Sequence, residues 1–229
     1  MSMDSISSLS SPVFYGVIIF LVSLLPFIAL SCSAFIKVHV VLSMLKNALG
    51  AQQVPSSLVT TFLACTLTLS IMQPVITKMY ETMIEGYQEI EKTQIKKTKK
   101  LELTPSQIFT LVSVSAEPLK EFLQLHSNPR EKEFFSSLGA KKDKSEVSSE
   151  SLFQLLPAFV VSELKEGFVM GVTVFIPFLL VDLVVSTVLV ALGMMMVNPI
   201  SIALPCKVLL FVLCDGWVLL CQGIISGYR

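Results

Sequence analysis

Four apolar stretches and one polar interval set the plan of this chain. Ser5 to Ile36 and Asn47 to Thr77 contain no charged residue, Gly167 to Cys206 carries only Asp182, and Val208 to Tyr228 carries only Asp215. A helix of about 20 apolar residues spans a hydrocarbon core. The pattern therefore predicts hydrophobic helices near 13–36, 54–77, 157–192 and 200–226, the third long enough to bend or be interrupted. Between the second and third, Lys78 to Glu150 holds 12 of the 17 basic and 12 of the 17 acidic residues. The expected fold is all-α, with membrane-associated helical hairpins and a small α-helical extracytoplasmic insertion. Residues 1–77 form an N-terminal hydrophobic hairpin, 78–151 the polar insertion, and 152–229 a C-terminal hydrophobic hairpin.

Local signals refine these elements. Lys37 to Pro55 reads as the connection within the first hairpin, with Gly50 suited to a helix C-cap and Pro55 to the next helix start. Lys37 and Lys46 incline that connection to the cytoplasmic side. In the insertion, Tyr80 to Glu102 reads as a solvated helix. Pro105 to His126 carries Ile108, Leu111, Val112, Leu119, Phe122 and Leu123 at helical intervals and should pack. Ser127-Asn128-Pro129 breaks it, Arg130 to Leu138 forms a short helix anchored by Phe134 and Phe135, and Gly139 to Ser151 reads as a linker. Met1 to Pro12 has Asp4 and no Lys or Arg, so the first helix is expected to be retained rather than cleaved as a signal peptide.

Composition narrows the function. Hydrophobic residues make up 53% of the chain and charged residues 15%, with a mean hydropathy of +0.74, which is membrane-protein composition. A formal net charge of zero gives no electrostatic footprint for nucleic acid. Five cysteines lie in apolar segments without metal-ligand spacing, and neither His39 nor His126 sits in a H-E-x-x-H pattern. There is no phosphate-binding loop and no G-x-S-x-G. No enzyme, cofactor or metal site is expected.

Glu163, Lys165, Glu166, Asp182, Lys207 and Asp215 punctuate the C-terminal apolar region. A charge at the centre of a bilayer costs at least about 2.5 kcal/mol, so these residues should face protein or water. Pro177 and Pro205 lie inside the apolar segments, where they would kink or interrupt helices. Gly193 and Pro199 bracket Met194, Met195 and Met196, which from the residues alone read as core filling.

The order Ser33–Val38 followed by Lys46–Gly50 and Pro55 resembles a signature of the FliP/SctR family, the core export-gate subunit of flagellar and virulence-associated type III secretion systems. Pro157–Phe159, Ser162–Lys165, Pro177–Leu183, Gly193–Met196, Pro199, Leu204-Pro205, Lys207 and Phe211–Trp217 fall in that family's order and spacing, as does His126–Phe135. The resemblance is weakest over Thr82–Leu103 and Ala140–Ser149, and is nearer the injectisome branch.

The resemblance implies a homo-oligomer of about five copies, built into a helical cone with small hydrophobic subunits of the SctS and SctT type and contacting SctU- and SctV-type proteins. It implies a place in the bacterial inner membrane, partly raised toward the periplasm, as the entry portal for unfolded effector and needle proteins. It also implies that Met194, Met195 and Met196 form an apolar gasket around the export path. For Glu163, Lys165, Asp182, Lys207 and Asp215 two readings stand, intrachain pairs or helix-end caps, and charges that set the register between subunits. Glu163 and Lys207 lead for the second. The competing class is a conventional polytopic transporter or channel with Asp182 and Asp215 as ion or proton sites; a third is a scaffold without a conduit.

Overall fold

The computed structural model describes residues 12–50, 56–95, 105–139 and 152–228, and all nine elements among them are helices. They are α1 (Pro12–Ser31), α2 (Phe35–Leu49), α3 (Ser57–Ile95), α4 (Pro105–Ser115), α5 (Glu117–His126), α6 (Pro129–Gly139), α7 (Leu152–Ala191), α8 (Pro199–Leu213) and α9 (Gly216–Ser226). The all-α expectation holds.

The central element is one the hydropathy pattern did not separate. Where a single helix to residue 36 and a loop from Lys37 were expected, the chain turns at Cys32–Ala34 and forms α2. Val38, Val41, Leu42, Leu45, Ala48 and Leu49 are buried at helical spacing, so α2 has an apolar stripe like any core helix. It was mistaken for a connection because Lys37 and Lys46 interrupt the hydropathy. Gly50 does close it in the expected way, at φ 72° with its N–H donating to the Asn47 carbonyl. Pro55 lies outside the described residues.

α2 lies against α7, α3 and α8, and α7 also packs on α5, α6 and α8. Two glycines let α2 and α7 approach closely. A Cβ on Gly171 would stand 2.2 Å from Met44 Sδ, and one on Gly167 would stand 3.3 Å from the Lys37 Cα. Four residues apart, they lie on one face of α7, the small-residue spacing by which helix backbones meet in membranes.

Three other boundaries moved. α3 runs unbroken from the apolar segment past residue 77 into the polar interval; of the solvated helix expected over Tyr80–Glu102, the part beyond Ile95 lies outside the described residues. Pro105–His126 divides at Ala116, because Pro118 in the first turn of α5 starts a new helix. The last apolar unit bends by 64° between α8 and α9. There Asp215 adopts a left-handed conformation at φ 49°, and Gly216 leaves room for the Phe211 ring, which a Cβ would meet at 2.3 Å. The expected linker over Gly139–Ser151, Gly139 apart, lies outside the described residues.

Among the described residues two helices, Ser57–Gln88 within α3 and Gln154–Ala191 within α7, are long and apolar enough to cross a membrane, or up to four spans if each bent pair counts as one. The two buried clusters sit beside each other. One centres on α2 with Phe178, Phe211 and Ile224; the other joins Phe122 and Leu123 of α5 to Leu155 and Phe159 of α7.

Candidate functional site

Glu163 lies in the first half of α7, at the point where α2 crosses it. Lys37 and Glu163 are both fully buried and pair at 3.3 Å, and Glu166 Oε2 approaches the same ammonium at 2.6 Å. Tyr228 completes the group from the far end of the chain. Its hydroxyl donates to Glu163 Oε2, and its ring lies 4.0 Å from the Lys37 ammonium, a cation–π geometry. The same ring meets His126 at 5.0 Å and Phe122 at 6.1 Å between centroids. A buried ion pair need not stabilise a fold relative to apolar residues, but removing one member strands the other at about 3–5 kcal/mol. This cluster therefore fixes how α2, α5, α7 and the C-terminal residues meet.

The hydrogen bonds around it tie the insertion to α7. Ser162 Oγ accepts from the Asn128 N–H at 2.8 Å and donates to the Ala158 carbonyl at 2.8 Å, holding the break that precedes α6. Lys165 pairs with Glu131 of α6 at 3.2 Å at a more exposed position. Burial, then the nearby Lys37 cation, lowers the His126 pKa, and Glu166 opposes them.

A second cation anchors the other end of α2. Lys207 of α8 donates to the Ala48 carbonyl at 2.9 Å and pairs with Asp182 Oδ2 of α7 at 2.6 Å. Ala48 lies in the last turn of α2, where carbonyls lack intrahelical partners and the helix dipole favours a cation. One side chain thus joins the C-terminus of α2, α7 and α8. Pro177 and Pro205 lie within α7 and α8, and neither helix is interrupted there.

Met194, Met195 and Met196 sit between α7 and α8. Gly193, at φ 74°, ends α7 in a Schellman turn: its N–H donates to the Val190 carbonyl and that of Met194 to Leu189, each at 3.0 Å. α8 starts just as firmly, since Asn198 Oδ1 accepts from the Ile200 N–H at 3.1 Å and Pro199 follows as the first helical residue. Between these stops the methionines project away from their own chain, 45%, 81% and 99% exposed. Within the chain they fill no core.

The structure thus brings Glu163 to Lys37, Lys165 to Glu131 and Asp182 to Lys207, while Asp215 stands apart at the α8–α9 bend. Sequence reasoning missed Lys37 as a buried partner, and it missed Tyr228, Gly167 and Gly171. A lysine one residue before a buried apolar stripe was the available signal for Lys37, and Gly-x-x-x-Gly for the close crossing. Nothing local marked Tyr228. Among the described residues no group of three or more His, Cys, Asp or Glu is placed to hold a metal ion.

Residues 18–224 match the FliP family, a span that includes every residue of these clusters except Tyr228. The chain belongs to the FliP family. Similar members include the Yop proteins translocation protein R of Yersinia pestis, 38% identical over 216 residues covering 93% of this chain and 94% of that protein. The surface presentation of antigens protein SpaP of Shigella flexneri is 36% identical over 209 residues, 90% and 91% of the two chains. The hypersensitivity response secretion protein HrcR of Ralstonia nicotianae is 34% identical over 212 residues, 91% and 93%. This FliP-family chain therefore aligns over about nine tenths of its length with these three proteins, two of them named for translocation or secretion.

Proposed function

We propose that this protein is a core subunit of a type III secretion export gate, in which several copies enclose the path of unfolded effector and needle proteins across the bacterial inner membrane. The observation that carries the reading is the methionine loop. Backbone stops at both ends hold three flexible apolar side chains clear of the chain that bears them. Unbranched thioethers mould to irregular surfaces, so a ring of such loops closes on itself and yields to a passing polypeptide, while a dewetted constriction blocks ions.

The exposed apolar surface of α7 supports assembly. Its most apolar span is only 11% buried within the chain, leaving area for further copies, about five by the family resemblance, and for small hydrophobic subunits of the SctS and SctT type. SctU- and SctV-type proteins would meet the assembled gate, which is raised partly toward the periplasm. Glu163 and Lys207 act in this reading by fixing the chain in the shape its neighbours recognise, with Lys165 and Asp182 as partners and Asp215 left for a contact outside the chain. A transporter using Asp182 as its ion site is disfavoured because that carboxylate already holds Lys207.

Replacing Met194, Met195 and Met196 together by alanine tests the gate. The complex should assemble on native gels and show raised membrane conductance to small ions while still secreting. A fully assembled triple variant with unchanged conductance would refute the gasket; failure to assemble would return the methionines to a packing role.

A further inference from the structure

A polar and an apolar cavity meet where α2 ends and α3 begins. The apolar one, about 300 Å³, lies among Leu42, Leu45, Leu49, Leu63 and Trp217, at the lower end of the roughly 300–1,000 Å³ typical of ligand pockets. The polar one, about 180 Å³, is lined by His39, Ser43, Lys46, Asn47, Ser57 and Thr60. Lys46 and Thr60 line both, so the two chambers abut at those side chains.

Among the described residues Lys46 is the one formal charge in either lining, and the ion pairs engage Lys37, Lys120, Lys165 and Lys207 instead. Its ammonium has no carboxylate partner there. His39 stacks on Phe35 and keeps a buried Nδ1 without a hydrogen-bond partner. Ser57 adds a hydroxyl at the start of α3, whose dipole is positive at that end. Lys46 and the start of α3 favour an anion in the polar chamber, whereas the last turn of α2, to which Lys46 and Asn47 belong, favours the lysine itself.

A free anion would leave the leucine-lined chamber unfilled, and a neutral hydrocarbon would leave Lys46 with the α2 dipole alone and no anionic partner. We propose that the paired cavities hold one membrane phospholipid, its phosphate beside Lys46 and an acyl chain among the leucines and Trp217. The protein's apolar helices place such lipids at hand, and a basic pocket between membrane helices suits a phosphate headgroup.

The test uses the full chain in neutral detergent, with phosphatidylglycerol, diacylglycerol and inorganic phosphate added separately. Native mass spectrometry and thermal unfolding read the outcome. Phosphatidylglycerol should bind at one per chain and raise the unfolding temperature; the other two should do neither. Losing a charged hydrogen-bond donor weakens binding about tenfold, the change expected for Lys46→Gln, while Leu63→Trp should exclude the acyl chain. If Lys46→Gln fails to fold, the double variant Ser43→Ala, Ser57→Ala carries the same comparison. Stabilisation by phosphate alone, equal stabilisation by diacylglycerol, or binding indifferent to these variants would overturn the proposal. Neither readout involves conductance or secretion, so failure here leaves the export-gate reading untouched.

Discussion

The two halves of α7 have opposite relations to the rest of the chain. Around Glu163 the helix is covered by α2, α5 and α6, its charges are paired, and Ser162 satisfies the neighbouring backbone. From Leu179 onward most large apolar side chains are exposed, and the helix runs out into a loop whose last methionine touches almost nothing. The first half is specified by its own sequence, whereas the second carries apolar surface that only lipid or other subunits can cover. One helix thus joins a finished fold to an unfinished interface.

The largest effect should come from the finished half. Glu163→Ala leaves the buried Lys37 ammonium only the half-exposed Glu166 and takes away the acceptor of the Tyr228 hydroxyl. It should cost about 3 kcal/mol, the lower end for a broken buried pair, read by thermal unfolding of the full chain in detergent. Combining Lys37→Met with Glu163→Leu should recover most of that loss. A Glu163→Ala protein as stable as the parent would dissolve the contrast between the halves. Gly171→Val comes next, since its Cβ would collide with Met44, and overpacking costs about 1–3 kcal/mol. Gly223→Ala meets nothing within 4 Å and should be neutral or slightly stabilising on the same assay.

The pH dependence gives a smaller effect. His126 has its folded-state pKa below the ordinary value of about 6.5, so on acidification the unfolded chain takes up a proton first. Its contribution to stability is complete above that ordinary value and is lost as pH falls toward the folded pKa. Unfolding followed between pH 8 and pH 5 should show the decline, and His126→Gln should flatten it. The smallest change belongs to the unfinished half. Replacing all three methionines by alanine should shift the stability of the unassembled chain by no more than about 0.5 kcal/mol per position, as for exposed positions generally. A loss of several kcal/mol would mean that the loop packs within its own chain.

What the sequence made legible follows from how local each signal is. Gly50, the Ser127-Asn128-Pro129 break, and Gly193 with Pro199 act on the backbone within a few residues, and the structure places a helix end at each. Lys37 shows the limit. Its partner lies 126 residues away, so hydropathy registered only a charge in an apolar run and read α2 as a loop. Tyr228 reaches Glu163 across 65 residues and was equally out of view. The extent of α3 was missed for another reason: Glu, Lys and Gln favour helix as strongly as the apolar residues before them, so polarity changed at residue 78 while the backbone did not. For the methionines, the sequence permitted both core and gate, and their exposure within the chain turns on tertiary placement that no local pattern carries.

The stops at Gly193 and Asn198 also bear on time. With the backbone of the methionine loop closed by hydrogen bonds at each end, its freedom resides mainly in thioether torsions, and exposed rotamers exchange in picoseconds to nanoseconds, whereas loops move in nanoseconds to microseconds. In the proposed gate, a seal built this way would re-form behind a passing residue on the timescale of rotamer exchange. Its tightness during transit is then a matter of side-chain relaxation rather than of a hinge swinging shut.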